Sequence, residues 1–180
     1  RRQRQMCIRD SKSTLLKTML GQIQPITGEV LYKDKTGKII HPDLNQIGYL
    51  AQDLTMFDAT ILENITMLNA KLKDQVKDVV RNNIFAKDEK RFKDGLATEI
   101  EVKHDLLSGG QRQKVVLMRA MIHKKPILYL DEATSAIDRA ATTRILQNLV
   151  QTDRTILMIA HNLTKEQKAL FDREIYLEGK

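Results

Sequence analysis

Two hydrophobic rhythms alternate along the chain. Short, nearly continuous apolar runs at Ile47-Gly48-Tyr49-Leu50, Ile127-Leu128-Tyr129-Leu130, Thr155-Ile156-Leu157-Met158-Ile159-Ala160 and around 174–177 predict buried strands. Apolar residues three and four apart, such as Ile61, Leu62, Ile65 and Leu68, predict helices over 12–20, 61–85 and 138–150. Gly21 closes the first helix, and Pro25 and Gly28 bracket a turn. Glu29-Val30-Leu31-Tyr32 reads as a further strand, and Asp34-Lys35-Thr36-Gly37 as a hairpin turn after it. From 85 to Met121 helical character continues irregularly, without a clear strand. Strands separated by helices predict an α/β fold with a largely parallel sheet. The expected core comprises 12–52 and 123–180, with a helical insert over about 53–122. Repeats, low-complexity tracts and flexible linkers are not visible.

Composition narrows this picture only slightly. The 180 residues are 42% apolar, enough for the core of one ordinary domain. The longest apolar stretches fall well short of the roughly 20 residues that cross a bilayer. No secretory signal is expected, and the single Cys7 excludes an intrachain disulfide and suits a cytosolic chain. The net charge of +7 is scattered rather than run together, which indicates a solvated Lys-rich surface rather than a nucleic-acid face.

Phosphate chemistry concentrates in three places. Ser108, Gly109 and Gly110 open a helix, where backbone N–H groups and a hydroxyl meet an anion with the helix dipole favourably directed. Asp131 and Glu132 end a buried strand, where two carboxylates can hold Mg²⁺ and orient water. Lys12-Ser13-Thr14 opens the first helix, where a Lys can reach phosphates and a Ser hydroxyl can ligate Mg²⁺. Taken singly, each also fits a capped helix or exposed acids near a helix start. His41, His104 and His123 match no pattern and are read as surface, and no Cys or His cluster has zinc-site spacing.

In this order, Leu107-Ser108-Gly109-Gly110-Gln111, continued by Arg112-Gln113-Lys114 and Arg119-Ala120, followed by Ile127–Glu132, resembles the ATP-binding cassette (ABC) ATPases over essentially residues 12–180. The resemblance implies a P-loop NTPase core with a mostly parallel sheet and an ABC-type helical subdomain. It implies ATP and Mg²⁺ as ligands, with Lys12, Ser13 and Thr14 as the end of the phosphate loop. Gln52, after Tyr49-Leu50-Ala51, matches the Q-loop glutamine that contacts Mg²⁺ or water. Asp131 would support Mg²⁺ together with Ser13, and Glu132 would polarise the attacking water. His161 matches the switch histidine, and Asp138, after Ser135-Ala136-Ile137, closes the D-loop. Ser108, Gly109, Gly110 and Gln111 would bind the γ-phosphate held by a second, head-to-tail ABC domain.

Asp131-Glu132-Ala133-Thr134-Ser135 and Ala59-Thr60-Ile61-Leu62-Glu63-Asn64-Ile65 are similar to the exporter branch; importers more often have Pro at the position of Ala133. The implied function is ATP hydrolysis to ADP and phosphate, coupled to transport by a transmembrane partner, fused upstream or separate. That partner would hold the chain at the cytoplasmic face of the membrane; nucleic acid is not an expected partner. Two departures are residues 98–105, which lack the glycines and central Glu typical of exporters, and Asn162, where Arg is common. Two alternatives are a soluble ABC ATPase acting on nucleic acid or ribosomes, and a catalytically inert regulatory module.

The first eleven residues stand apart. They show neither helical nor strand periodicity, and Met6, Arg9 and Ser11 stand where the family's phosphate loop has glycines. Gly permits φ > 0 and close approach of backbone to phosphate. Met6-Cys7-Ile8-Arg9-Asp10-Ser11 resembles a translated sequencing-library adapter, so residues 1–11 are expected to be foreign to a gene truncated at its start and are set aside from the fold. They carry four Arg and one Asp, so the remainder carries +4.

Overall fold

The computed structural model describes residues 3–7, 12–34, 36–41, 43–81, 85–104 and 106–176. The first strand, β1 (Gln3–Cys7), leads towards helix α1 (Lys12–Met19). A short antiparallel hairpin follows, β2 (Tyr32–Lys33) and β3 (Ile39–Ile40), and then β4 (Ile47–Leu50). Next come β5 (Ala59–Thr60), α2 (Ile61–Thr66), α3 (Lys73–Arg81), α4 (Ala86–Glu89) and β6 (Glu99–Ile100). The chain then forms α5 (Gly109–His123), β7 (Ile127–Asp131), α6 (Arg139–Val150), β8 (Thr155–Ile159), α7 (Lys165–Lys168) and β9 (Arg173–Tyr176).

Five strands form one parallel sheet in the order β4-β7-β8-β1-β9. Its middle strands alternate between two buried faces. Leu128, Leu130, Ile156 and Met158 pack with Val116, Leu117, Ala120, Ile145 and Leu149 of α5 and α6. Tyr129, Leu157 and Ile159 pack on the opposite side with Leu16 and Leu20 of the α1 segment. Burial on both faces is why these strands read as continuous apolar runs. A second core gathers Ile61, Ile65, Val76, Val80, Phe85 and Ile100 against Leu107, Val115, Met118 and Ile122. Helix α5 therefore faces both cores, which makes it the element through which they are joined.

Four expectations are corrected. Gln3–Cys7 forms a strand despite its polar, aperiodic sequence, because its backbone pairs with β8 on one side and β9 on the other. Met6, expected at a loop glycine, lies within that strand; Arg9 and Ser11 lie outside the described residues. The strand expected over 29–32 shrinks to Tyr32–Lys33, paired only with Ile39–Ile40. The helix expected over 61–85 breaks after Thr66: Met67 and Leu68 adopt φ of 51° and 62°, and Asn69 caps a single 3₁₀ turn at Ala70–Leu72. The 85–121 stretch, expected to lack strands, contributes β6, which pairs with β5. The hairpin turn at 34–37 is present, with Asp34 accepting from Thr36 and Lys38 N–H groups; Lys35 lies outside the described residues.

Candidate functional site

The candidate site lies at the C-terminal end of β7, where the strand emerges between β4 and β8. Asp131, the last strand residue, is 1% exposed, and its Oδ1 has no hydrogen-bond partner among the described residues. Tyr49 lies beside it: burial, together with the Asp131 charge, pushes the Tyr49 hydroxyl pKa above its ordinary value. A buried carboxylate oxygen without a donor suits a cation better than it suits the apolar core. The chain then turns at Glu132, whose φ of 52° is left-handed and costs a non-glycine residue about 1–3 kcal/mol. Glu132 N–H donates to the Ile159 carbonyl at 3.0 Å, and the Glu132 carbonyl accepts from Ser135 N–H at 3.1 Å.

Two other elements reach the Glu132 side chain, and a third joins them through His161. His161, two residues past β8, places Nε2 2.7 Å from Glu132 Oε1. Gln52, just after β4, donates from Nε2 to Glu132 Oε2 at 3.4 Å. Lys12, at the start of α1 and only 4% exposed, brings Nζ to 2.9 Å from His161 Nε2 and 3.4 Å from Nδ1. Nε2 cannot donate to a carboxylate and accept from an ammonium at once. The contacts of Glu132 and Lys12 with Nε2 therefore belong to alternative tautomers of the ring. Lys12, Gln52, Glu132 and His161, expected from four separate stretches, thus form one cluster. Ser13 and Thr14 follow Lys12 at the N-terminal end of α1, half-buried and exposed respectively. A cleft of about 670 Å³ opens beside the cluster, lined by Glu132, Ser135, Arg139, His161 and Asn162.

The remaining expected residues are placed on helix starts. Ser108 caps α5, accepting from Gln111 N–H at 3.3 Å while Gln111 Oε1 accepts from Ser108 N–H at 2.9 Å. Gln111 and Lys114 also reach Asp88, at 3.3 and 2.8 Å, which anchors the start of α5 to α4. Gly109 and Gly110 lie against Ala136: a Cβ on Gly110 would meet the Ala136 carbonyl oxygen at 2.5 Å. Asp138 caps α6, accepting from Ala141 N–H at 2.9 Å.

Several residues that the sequence offered only as part of the resemblance, or as surface, take structural roles. Arg119, 9% exposed, donates to the carbonyls of Asn64 and Thr55 and lies over the Phe57 ring, so it holds the 55–64 segment that follows Gln52. Burial pulls its pKa down to about 10, which leaves it charged at neutral pH. Asn64, fully buried, bonds both the N–H and the carbonyl of Phe57. Gln113 is buried against the 132–136 segment. Its sequence signal is a polar residue on the stripe that continues through Val116, Leu117 and Ala120. His123, expected at the surface, is half-buried, with Nε2 enclosed and without a hydrogen-bond partner among the described residues, and burial lowers its pKa. His41 is exposed, and the His104 side chain lies outside the described residues.

A parallel sheet with a Lys-bearing helix start beside a strand-end Asp-Glu pair defines the P-loop class of nucleotide-binding folds. The family model for ABC transporters matches residues 11–135, and the chain belongs to that family. It is 37% identical to the transport/processing ATP-binding protein ComA of Streptococcus pneumoniae, covering 94% of this chain and 25% of that protein. It is 36% identical to the lactococcin-A transport/processing ATP-binding protein LcnC of Lactococcus lactis, covering 85% of this chain and 22% of that protein. Its fold matches a bacterial Atm1-family ABC exporter with ATP bound at a TM-score of 0.81 and 28% identity, over 99% of this chain and 32% of that one. The chain thus spans about a quarter of the length of these curated relatives.

Proposed function

We propose that this chain is the ATP-hydrolysing part of an ABC exporter, converting ATP and water to ADP and phosphate and coupling that cycle to transport. The observation that carries this reading is the convergence of Lys12, Gln52, Glu132 and His161 at the C-terminal edge of the parallel sheet. The Lys12 ammonium and the N–H groups opening α1 attract the β- and γ-phosphates. Glu132 accepts a hydrogen bond from the attacking water and draws its proton as the bond to the γ-phosphorus forms. His161 holds Glu132 Oε1 through Nε2 and can exchange that bond for one to a γ-phosphate oxygen. Ser13, Asp131 and Gln52 are the residues to hold Mg²⁺, and the unpartnered Asp131 Oδ1 fits that use. Bound there, the ion would neutralise charge on the phosphate oxygens.

Ser108, Gly109, Gly110 and Gln111 serve the nucleotide of a second, head-to-tail domain, while Asp138 ends the loop that faces it. The transmembrane partner places the pair at the cytoplasmic face of the membrane. The relatives named for transport, and the exporter whose fold this chain shares, support that assembly. Phosphate release with ATP and Mg²⁺ by the full chain carrying Gly in place of Met6, Arg9 and Ser11 tests the reading. Glu132→Gln should lower the rate by about 100-fold or more, since general-base groups contribute on that scale. Equal rates for the two proteins would reject Glu132 as catalytic and favour an inert module.

A further inference from the structure

Gln113 lies on α5, two residues beyond the Ser108–Gln111 run, and the chemistry above makes no use of it. Its amide is fully committed to the loop after β7. Nε2 donates to the Glu132 carbonyl at 3.2 Å and to Ser135 Oγ at 2.8 Å, and Oε1 accepts from Ala136 N–H at 2.8 Å. The backbone N–H of Ala136 can only donate, which fixes the orientation of the amide. One side chain, 7% exposed, therefore pins three residues of the loop. One of them is Glu132, whose left-handed backbone needs support from its surroundings. An apolar side chain at 113 would suit the stripe formed with Val116, Leu117 and Ala120, yet it would leave Ala136 N–H without this acceptor. One turn earlier on the same helix, Gly110 seats its backbone directly on the Ala136 carbonyl. Helix α5 and the Glu132 turn are thus joined at two points, one of backbone and one of hydrogen bonding.

We propose that Gln113 is a positioning residue that ties the backbone of Glu132 to α5, so that a shift of α5 moves the carboxylate acting on this chain's own ATP. The proposal rests on the ATPase reading above, in which Ser108 and Gly110 meet the partner's nucleotide. Contact of the partner's γ-phosphate at the start of α5 then reaches Glu132 through the Gln113 amide. A single buried side chain links the two nucleotides of the pair.

The test compares the full chain, with Gly in place of Met6, Arg9 and Ser11, with the same chain carrying Gln113→Met, which keeps length and helix propensity and removes all three hydrogen bonds. The kcat for phosphate release should fall about tenfold, with the KM for ATP within about twofold, since the loss falls on the reacting state and not on nucleotide binding. The Hill coefficient for ATP should fall towards one. Backbone amide exchange over 132–137 should accelerate about tenfold while α5 and α6 keep wild-type rates, as expected of a local opening. A matching rise in KM, a Hill coefficient equal to wild type, or exchange that rises evenly along the chain overturns the proposal. If the parent chain with those three glycines releases no phosphate, the ATPase reading fails separately. Amide exchange over 132–137 then decides alone whether Gln113 holds Glu132: unchanged exchange there rejects it.

Discussion

The two sides of the nucleotide site are held by different means. On the Glu132 side, side chains from α5 and from the chain after β8 and β4 converge on a single turn. That turn is bonded to Ile159, Ser135 and Gln113, and the Gly110 backbone packs against the same loop. On the Lys12 side, the approach runs through a polar strand held by backbone pairing, and Met6 occupies the place of a glycine within it. The first side has its geometry over-determined by packing and hydrogen bonds. The second carries Met6, Arg9 and Ser11 where the resemblance leads one to expect glycine. The contrast is between a turn held by tertiary contacts and an approach held by backbone pairing alone.

Replacing Met6, Arg9 and Ser11 together by Gly should sharpen this contrast most. Binding of ATP measured by calorimetry should tighten by about 100-fold or more, because backbone N–H groups could then close on the phosphates. Micromolar affinity in the unmodified chain would break the comparison outright. Arg119→Met strikes the support of the 55–64 segment, leaving buried carbonyls without donors. It should lower unfolding stability by about 3 kcal/mol, read from the urea midpoint. Gly110→Ala should cost about 1–3 kcal/mol by the same measure, because the Ala136 backbone must yield to a Cβ. An unchanged midpoint would show that α5 and the loop are not tightly joined.

The smallest expected effect concerns His123. Burial holds its folded pKa below the ordinary 6.5, so the unfolded chain takes up a proton first as pH falls. Its contribution to stability is therefore undiminished above about pH 6.5 and is lost progressively below it, towards the lower folded pKa. His123→Gln should flatten that part of the stability profile in a pH series of thermal melts. A profile below pH 6.5 identical to that of the original chain would remove His123 from the account.

Much of the molecule is legible in the order of its residues. The runs 47–50, 127–130 and 155–160 are recognisable as strands because both of their faces are buried, which makes them apolar without interruption. His161 is recognisable because it directly follows such a run, Glu132 because with Asp131 it forms the acidic pair that ends one, and Lys12 because it opens a helix. Where local signals are weak, the pattern along the chain misleads. Gln3–Cys7 carries no apolar pattern, and its strand exists only through partners more than 150 positions away. The break at Met67–Leu68 is hidden by a helical spacing that continues across it, although Asn69 is a cap residue that marks it.

Residue order alone specified which groups are chemically able to act: a carboxylate pair at a strand end, a Lys at a helix start, a glycine-rich helix entry. These depend on local spacing and on side-chain type, both of which are written in the chain. The tertiary structure alone decided that Lys12, Gln52, Glu132 and His161 meet, that Glu132 is turned into a left-handed backbone, and that Gln113 holds that turn. Those facts depend on strand order in a sheet and on the packing of one helix against two cores. Such relations arise between distant segments, so no single stretch of sequence contains them.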